Sequence, residues 1–264
     1  MSELTTIKDL DPSKVLFVIC VNDENLFARC RQYLEALEIP AGITVEIKEI
    51  RGARGLASAY NQAIRESNAK YKFYLHQDTF IYNRQIIADV IAFFKQYPQA
   101  GMLGQVGGSK LPRGGIWFEN GLYSFGKIWE YRRPGLRIPF WPAWDRRKIR
   151  IIYFRPVKRP YQPVLVIDGL FMATQYDVPW REDLYDSFLY YEGPQSLEYI
   201  KRGYLVVIPY QKTPWIMHWG PEVDRTPEQH KKMWEGIRKN AVIFLREYKE
   251  YIGKNVYHFI RDKQ

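Results

Sequence analysis

The chain has 264 residues, 46% hydrophobic and 16% aromatic, with a formal net charge of +10. That composition is enough for a sizeable core and excludes wholesale disorder. With only Cys20 and Cys30, a disulfide framework and a cysteine-rich zinc site are excluded too.

The N-terminus carries neither a basic segment nor an apolar leader, and the longest early apolar run, Val15 to Val21, is far shorter than the ~20 residues of a membrane span. The expectation is a cytoplasmic chain. That apolar run has strand length, and "NLFARCRQYLEAL" after it has helical spacing until Pro40. "ITVEIKEI" alternates as a strand with one wet face, "RGARG" is a loop, and "LASAYNQAIRES" a helix. "KYKFYLHQDTFIYN" (70–83) is an aromatic strand that ends abruptly in His76-Gln77-Asp78. Asn83 is the expected N-cap of "RQIIADVIAFFKQY", which Pro98 ends, and "AGMLGQV" is the next strand. Strands alternating with helices in this way predict parallel βαβ units.

Between Lys127 and Pro160 stand eleven Lys and Arg against two acids, Glu130 and Asp145, so nearly all the net charge sits in one segment interleaved with Trp, Tyr, Phe and Pro. Three readings stay open for it: nucleic acid held by phosphate pairing and stacking, an anionic membrane surface, or closure over an acceptor. A solvated hairpin is the plain alternative. Beyond it, "PVLVIDGLFMAT" reads as a buried strand broken at Asp168-Gly169, "SLEYIKRGY" as a short helix, "LVVIP" as a strand, and "WIMHWG" as a strand or loop ending near His218. Thr226, Pro227 and Gln229 form a capping box for a tail helix whose apolar stripe runs from Met233 to Tyr248.

In open α/β sheets ligands bind beyond the carboxyl ends of the strands. The residues to examine there are Asn22 and Asp23, His76, Gln77 and Asp78, Asp168, Glu192 and His218. Each has a plain alternative. Asp78 is equally suited to capping a turn, His218 to the core, Glu192 to an exposed loop, and Asn22 with Asp23 to capping the first helix. Arg51 and Arg54, flanked by glycines, suit either phosphate contact or a wet loop. No Walker loop, dinucleotide fingerprint or nucleophile elbow is present.

Five blocks, "ASAYNQAI", "FYLHQDTFI", "VIDGLFMAT", "WREDLYDSFLYYEGPQSLEYIKRGYLVVIP" and "PWIMHWG", together make the chain resemble the family 2-like bacterial glycosyltransferases of the GT-A fold, in the branch associated with surface polysaccharide synthesis. The resemblance covers roughly 15–104 and 163–220. It implies a single α/β, Rossmann-like GT-A domain over 1–264: a nucleotide-sugar-binding half (14–104), the basic aromatic insertion (105–162), an acceptor and catalytic half (163–221) and a helical tail (222–264). It further implies a metal-dependent, inverting transfer from a nucleoside-diphosphate sugar, a UDP-sugar foremost, to a glycan, lipid-linked or protein acceptor, at or near the inner face of the plasma membrane. Nucleic acid is not among the expected partners. A non-enzymatic nucleic-acid binder is the reading from a different class. By position in the blocks, Asp78 and His218 are the implied ligands of Mn2+ or Mg2+, Glu192 is the base and Asp168 its reserve. Asn22, Asp23, Arg54, Asn61, His76, Gln77 and Asp78 are the nucleotide-sugar contacts. His76 stands where the family's metal motif has its first Asp.

Overall fold

The computed structural model describes residues 9–119, 121–131, 149–185, 187–220 and 226–260. Arg132 to Lys148, a part of the basic insertion that carries six of its basic residues, lie outside the described residues.

The first three strands, β1 (Asp11–Val21), β2 (Thr44–Arg51) and β3 (Ala69–His76), are parallel and joined by α1 (Glu24–Glu35) and α2 (Leu56–Glu66). Val15, Phe17, Val18 and Ile19 of β1 are wholly buried, as a strand covered on both faces must be. After β3 the chain bends at Gln77-Asp78 into β4 (Thr79–Ile81). It continues through α3 (Ile86–Gln96) to β5 (Ala100–Gly104) and β6 (Val106–Gly108). Asn83 does not cap α3. Its Oδ1 accepts from the Gln85 N–H (3.1 Å) and its amide donates to Asp89, forming an Asx turn two residues ahead of the cap position.

The second half adds β7 (Ser124–Tyr131), β8 (Ile149–Tyr153), β9 (Tyr161–Pro163), β10 (Val166–Ile167), β11 (Phe171–Thr174), α4 (Glu192–Lys201), β12 (Leu205–Pro209), β13 (Ile216–Trp219) and α5 (Pro227–Glu247). The larger sheet has the order β2-β1-β3-β11-β5-β12-β9. β11 is antiparallel to both β3 and β5 and β9 to β12, while the parallel units expected over the first hundred residues hold for β1, β2, β3 and β5, and β12 joins them. The second sheet runs β10-β6-β7-β13-β4, with β8 on β7. α4 begins four residues before the expected "SLEYIKRGY", because Pro194 falls in its first turn, where a missing N–H costs nothing. The Thr226 capping box of α5 forms as expected. The stripe of α5 packs only in its later turns. Ala241, Phe244 and Tyr248 are buried, whereas Trp234 is 38% exposed. Among the described residues no helix is long and apolar enough to cross a membrane.

Candidate active site

Strand register builds the centre of the site. β13 pairs with β4, setting His218 opposite Thr79, and with β7, setting His218 opposite Glu130. Paired residues share a face, and the Trp219 N–H donates to the Asp78 carbonyl (2.8 Å). The outcome is a row of charges. His218 Nε2 lies 3.6 Å from Asp78 Oδ2, and His218 Nδ1 lies 3.8 Å from Glu130 Oε1. Burial alone would depress the His218 pKa, but the two carboxylates outweigh it and hold it up at about 10. Asp78 is raised by burial, yet the two histidines bring its carboxyl below the ordinary value. Trp219 stacks on Tyr131 with centroids 3.6 Å apart and carries Arg29 of α1 on its other side at 4.1 Å. This stack pins the strand end that bears His218.

His76 closes β3. Its Nδ1 is 3.8 Å from Asp78 Oδ1, and its Nε2 meets the Tyr191 hydroxyl at 2.5 Å. Burial lowers its pKa, with Asp78 and Asp168 opposing, so the ring is neutral. The same Tyr191 hydroxyl donates to the Gly169 carbonyl (3.2 Å). A Cβ at Gly169 would lie 2.2 Å from that oxygen, so glycine is what admits the tyrosine. Tyr190, just before it, has φ +70°, a left-handed backbone rare outside glycine and typical of places where strain is held beside function. The turn delivers Glu192 to the first position of α4, and Asn240 of α5 holds it in place by donating to Ser187 Oγ and the Leu189 carbonyl, each at 2.9 Å.

Two clefts meet at His76 and Phe188. The larger, about 460 Å3, opens at the ends of β1 and β3 and is lined by Asn22, Asp23, Gly52, Leu56, Gln77 and Asp78 among others. The smaller, about 180 Å3, is lined by Trp117, Phe118, Asp168, Tyr190, Tyr191 and Glu192 among others. In the smaller cleft burial, reinforced by Asp168, pushes Glu192 up to about 8, while Asp168 Oδ1 accepts from the Leu170 N–H (2.9 Å). Two carboxyls in one pocket with one of them raised is the arrangement that separates acid–base roles.

The remaining expected site residues divide. Gln77 Oε1 accepts from the Asn22 and Asp23 N–H groups (3.0 and 3.1 Å) and its amide donates to Asn22 Oδ1, so it ties the two strand ends together from within the cleft wall. Asp23 caps α1 through the Leu26 N–H (3.0 Å) while still lining the cleft. Asn61 is not in the cleft. It donates to the Trp180 carbonyl (2.9 Å) and accepts from the Trp180 N–H (2.8 Å), which uses both ends of its amide on the scaffold. Arg54 is exposed and does not line the cleft. Arg51 is paired with Glu24 and Glu49. Both cysteines are free, and burial pushes each thiol up to about 12, so neither is a nucleophile.

Sequence reasoning passed over Glu130, Tyr191 and Phe188. Glu130 left one signal, being one of only two acids in the basic segment. Tyr191 lay inside a recognised block without being singled out.

The donor set at Asp78 suits a divalent cation. Asp78 Oδ1 is buried without a hydrogen-bond partner, and a buried orphan oxygen calls for an occupant. Glu130 on the far nitrogen of His218 is the orienting carboxylate that metal-bound histidines usually have. Among the described residues no three His, Cys, Asp or Glu side chains converge as a ready-made cage.

A mixed α/β sheet thus carries paired clefts at one edge, one bearing a carboxylate and imidazoles and the other two carboxyls. The model of the glycosyltransferase-like family matches residues 16–248, and the chain belongs to that family. Among solved structures the chain is similar to S. aureus TarS (TM-score 0.48, 11% identity), covering 93% of this chain and 41% of that one. It is also similar to the mannosyltransferase PcManGT from Pyrobaculum calidifontis in complex with GDP-Man and Mn2+ (TM-score 0.48, 10% identity, 94% of this chain and 78% of that one). A third match is S. aureus TarS 1-349 in complex with UDP-GlcNAc (TM-score 0.47, 10% identity, 93% and 69%). The chain thus spans well under two thirds of the first of these. No curated protein matches it significantly.

Proposed function

We propose that this protein transfers a sugar from a nucleoside-diphosphate donor, a UDP-sugar foremost, to a hydroxyl of a glycan or lipid-linked acceptor in surface polysaccharide synthesis. The observation that carries the proposal is the meeting of the two clefts at His76, with Asp78 on one side and Glu192 on the other.

The nucleoside lies in the larger cleft against Asn22 and Asp23, and its diphosphate reaches Asp78. Asp78 and His218 Nε2, once metal displaces the imidazole proton, would hold the divalent ion, Mn2+ in preference to Mg2+ because imidazole suits it better. When bound, the ion supplies positive charge against the departing diphosphate. Glu192, deprotonated, takes the proton of the acceptor hydroxyl as that oxygen bonds to the anomeric carbon and the bond to the β-phosphate oxygen breaks. A base near 8 is close to the best value for this task at neutral pH. With Asp78 lining one cleft and Glu192 the other, a single displacement at the anomeric carbon would invert it. The aromatic rings of Trp117 and Phe118 give the acceptor sugar an apolar wall, and their placement helps exclude water.

The test is thermal unfolding of wild type and Asp78→Ala with UDP, GDP, dTDP and CMP, each with and without Mn2+. Ligand at a hundred times its Kd adds about 2.7 kcal/mol. Stabilisation by one nucleoside diphosphate that requires both Mn2+ and Asp78 is expected. If no nucleotide stabilises the wild type at saturation, the donor site is wrong.

A further inference from the structure

A third pocket, about 150 Å3, lies apart from the two clefts and is lined by Lys127 of β7, Tyr153 of β8, Arg155, Tyr210 and Gln211 among others. It far exceeds the ~10–15 Å3 that one water needs. Close packing makes it: Gly126, at φ +97°, lets β7 approach Gln105 so closely that a Cβ would lie 2.1 Å from the Gln105 carbonyl oxygen.

Its chemistry is one-sided. Its lining residues include the cations Lys127 and Arg155 and no acid. Lys127 Nζ donates to the Lys212 carbonyl and Arg155 Nη1 to the Leu122 carbonyl, each at 2.9 Å. These bonds aim the two cations without neutralising them, and among the described residues neither has a carboxylate partner. Gln211 is only 5% exposed, donates weakly to the Gln105 carbonyl (3.4 Å), and leaves Oε1 buried without a partner. A buried amide oxygen left unpaired costs free energy, and Gln211 is one of the residues that line the pocket. Tyr210, with Arg159 over its ring at 4.3 Å, forms part of the wall.

The pocket also has a defined place. β11 is antiparallel to β3 and to β5, and β12 is parallel to β5. β3 and β12 therefore point the same way, and Gln211 emerges on the same sheet edge as His76. Three strand spacings separate β3 from β12, about 14 Å at ~4.8 Å each. Lys127 is three residues from Glu130 on one strand, about 10 Å.

We propose that this pocket binds a phosphorylated saccharide, with Lys127 and Arg155 on the phosphate and Gln211 Oε1 accepting from a sugar hydroxyl. Guanidinium and ammonium groups suit phosphate, and a ligand carrying hydroxyls also offers the amide oxygen a donor. The proposal stands independently of donor binding and transfer.

The experiment is calorimetric titration with glucose 1-phosphate, inorganic phosphate and glucose, using wild type, Lys127→Gln, Arg155→Gln and Asp78→Asn. Glucose 1-phosphate binds wild type and Asp78→Asn equally, at least tenfold more weakly in either basic-site variant, and more weakly as salt rises. Glucose alone does not bind, and inorganic phosphate binds at least tenfold more weakly than the sugar phosphate. Loss of binding in Asp78→Asn with retention in Lys127→Gln puts the phosphate in the larger cleft and overturns the proposal. Equal affinity for inorganic phosphate overturns the saccharide assignment, and absence of any binding at millimolar concentration overturns the site. Unfolding midpoints are measured in parallel, and if Arg155→Gln does not fold, Lys127→Gln decides.

Discussion

Glu192→Gln separates the proposed chemistry from scaffolding, because it moves activity and stability in opposite directions. The carboxyl rises from 4.5 to about 8 through burial and Asp168. In the unfolded chain it ionises near 4.5, so between these values the native state holds a proton the unfolded state has released, and stability falls as pH rises. At 1.36 kcal/mol per unit the cost reaches about 3 kcal/mol at pH 7 as a ceiling. Solvent reaching this half-buried group lowers it to roughly 2 kcal/mol. Glutamine removes that cost. The variant should gain about 4–8 °C in Tm at pH 7, with the advantage growing from pH 4.5 to 8 and level above. Loss of the base should lower kcat by about 10²–10⁴-fold, whereas wild-type kcat should climb as pH rises through about 8. Thermal unfolding across pH and a donor-consumption assay read both quantities. A variant that is less stable at pH 7 and keeps its kcat would refute the assignment of Glu192.

Tyr191→Phe removes the hydroxyl shared by His76 and the Gly169 carbonyl. It should cost about 1–2 kcal/mol in urea unfolding and reduce kcat more than KM. Glu130→Gln should weaken Mn2+ binding by about 10–100-fold in a metal titration, with the far-ultraviolet dichroism unchanged. Asn61→Ala breaks both bonds to the Trp180 backbone and should cost about 2–3 kcal/mol of stability with donor KM unchanged. A raised KM would return Asn61 to the cleft.

Much of this architecture was readable because local rules and burial agreed. Residues 15–21 are apolar without a break because β1 is covered on both faces, and the Thr226 box is pure helix-end chemistry. The antiparallel insertion of β11 was not readable, because strand direction is decided by the return path of the chain, which no periodicity encodes. Asn83 was placed too close to its helix because an Asx turn and an N-cap use the same side chain. The acids at the strand ends could be found from position alone. Glu130 could not, since its importance lies in a register between β7 and β13 that only the folded sheet reveals. Asn61 misled for the opposite reason: a polar residue in a recognised block was serving the backbone of Trp180.

The place of β11 bears on how the chain assembles. It slots between β3 and β5, although it follows β5 by more than sixty residues. Until residues 171–174 have emerged from the ribosome, both of those central strands present bare hydrogen-bonding edges. A segment ending near 104 therefore has no closed sheet to fold into, and contacts this distant in sequence form slowly. Such edges invite pairing with other chains. The nascent protein should accordingly depend on chaperone protection through the basic insertion, and truncations before 175 should collect in inclusion bodies.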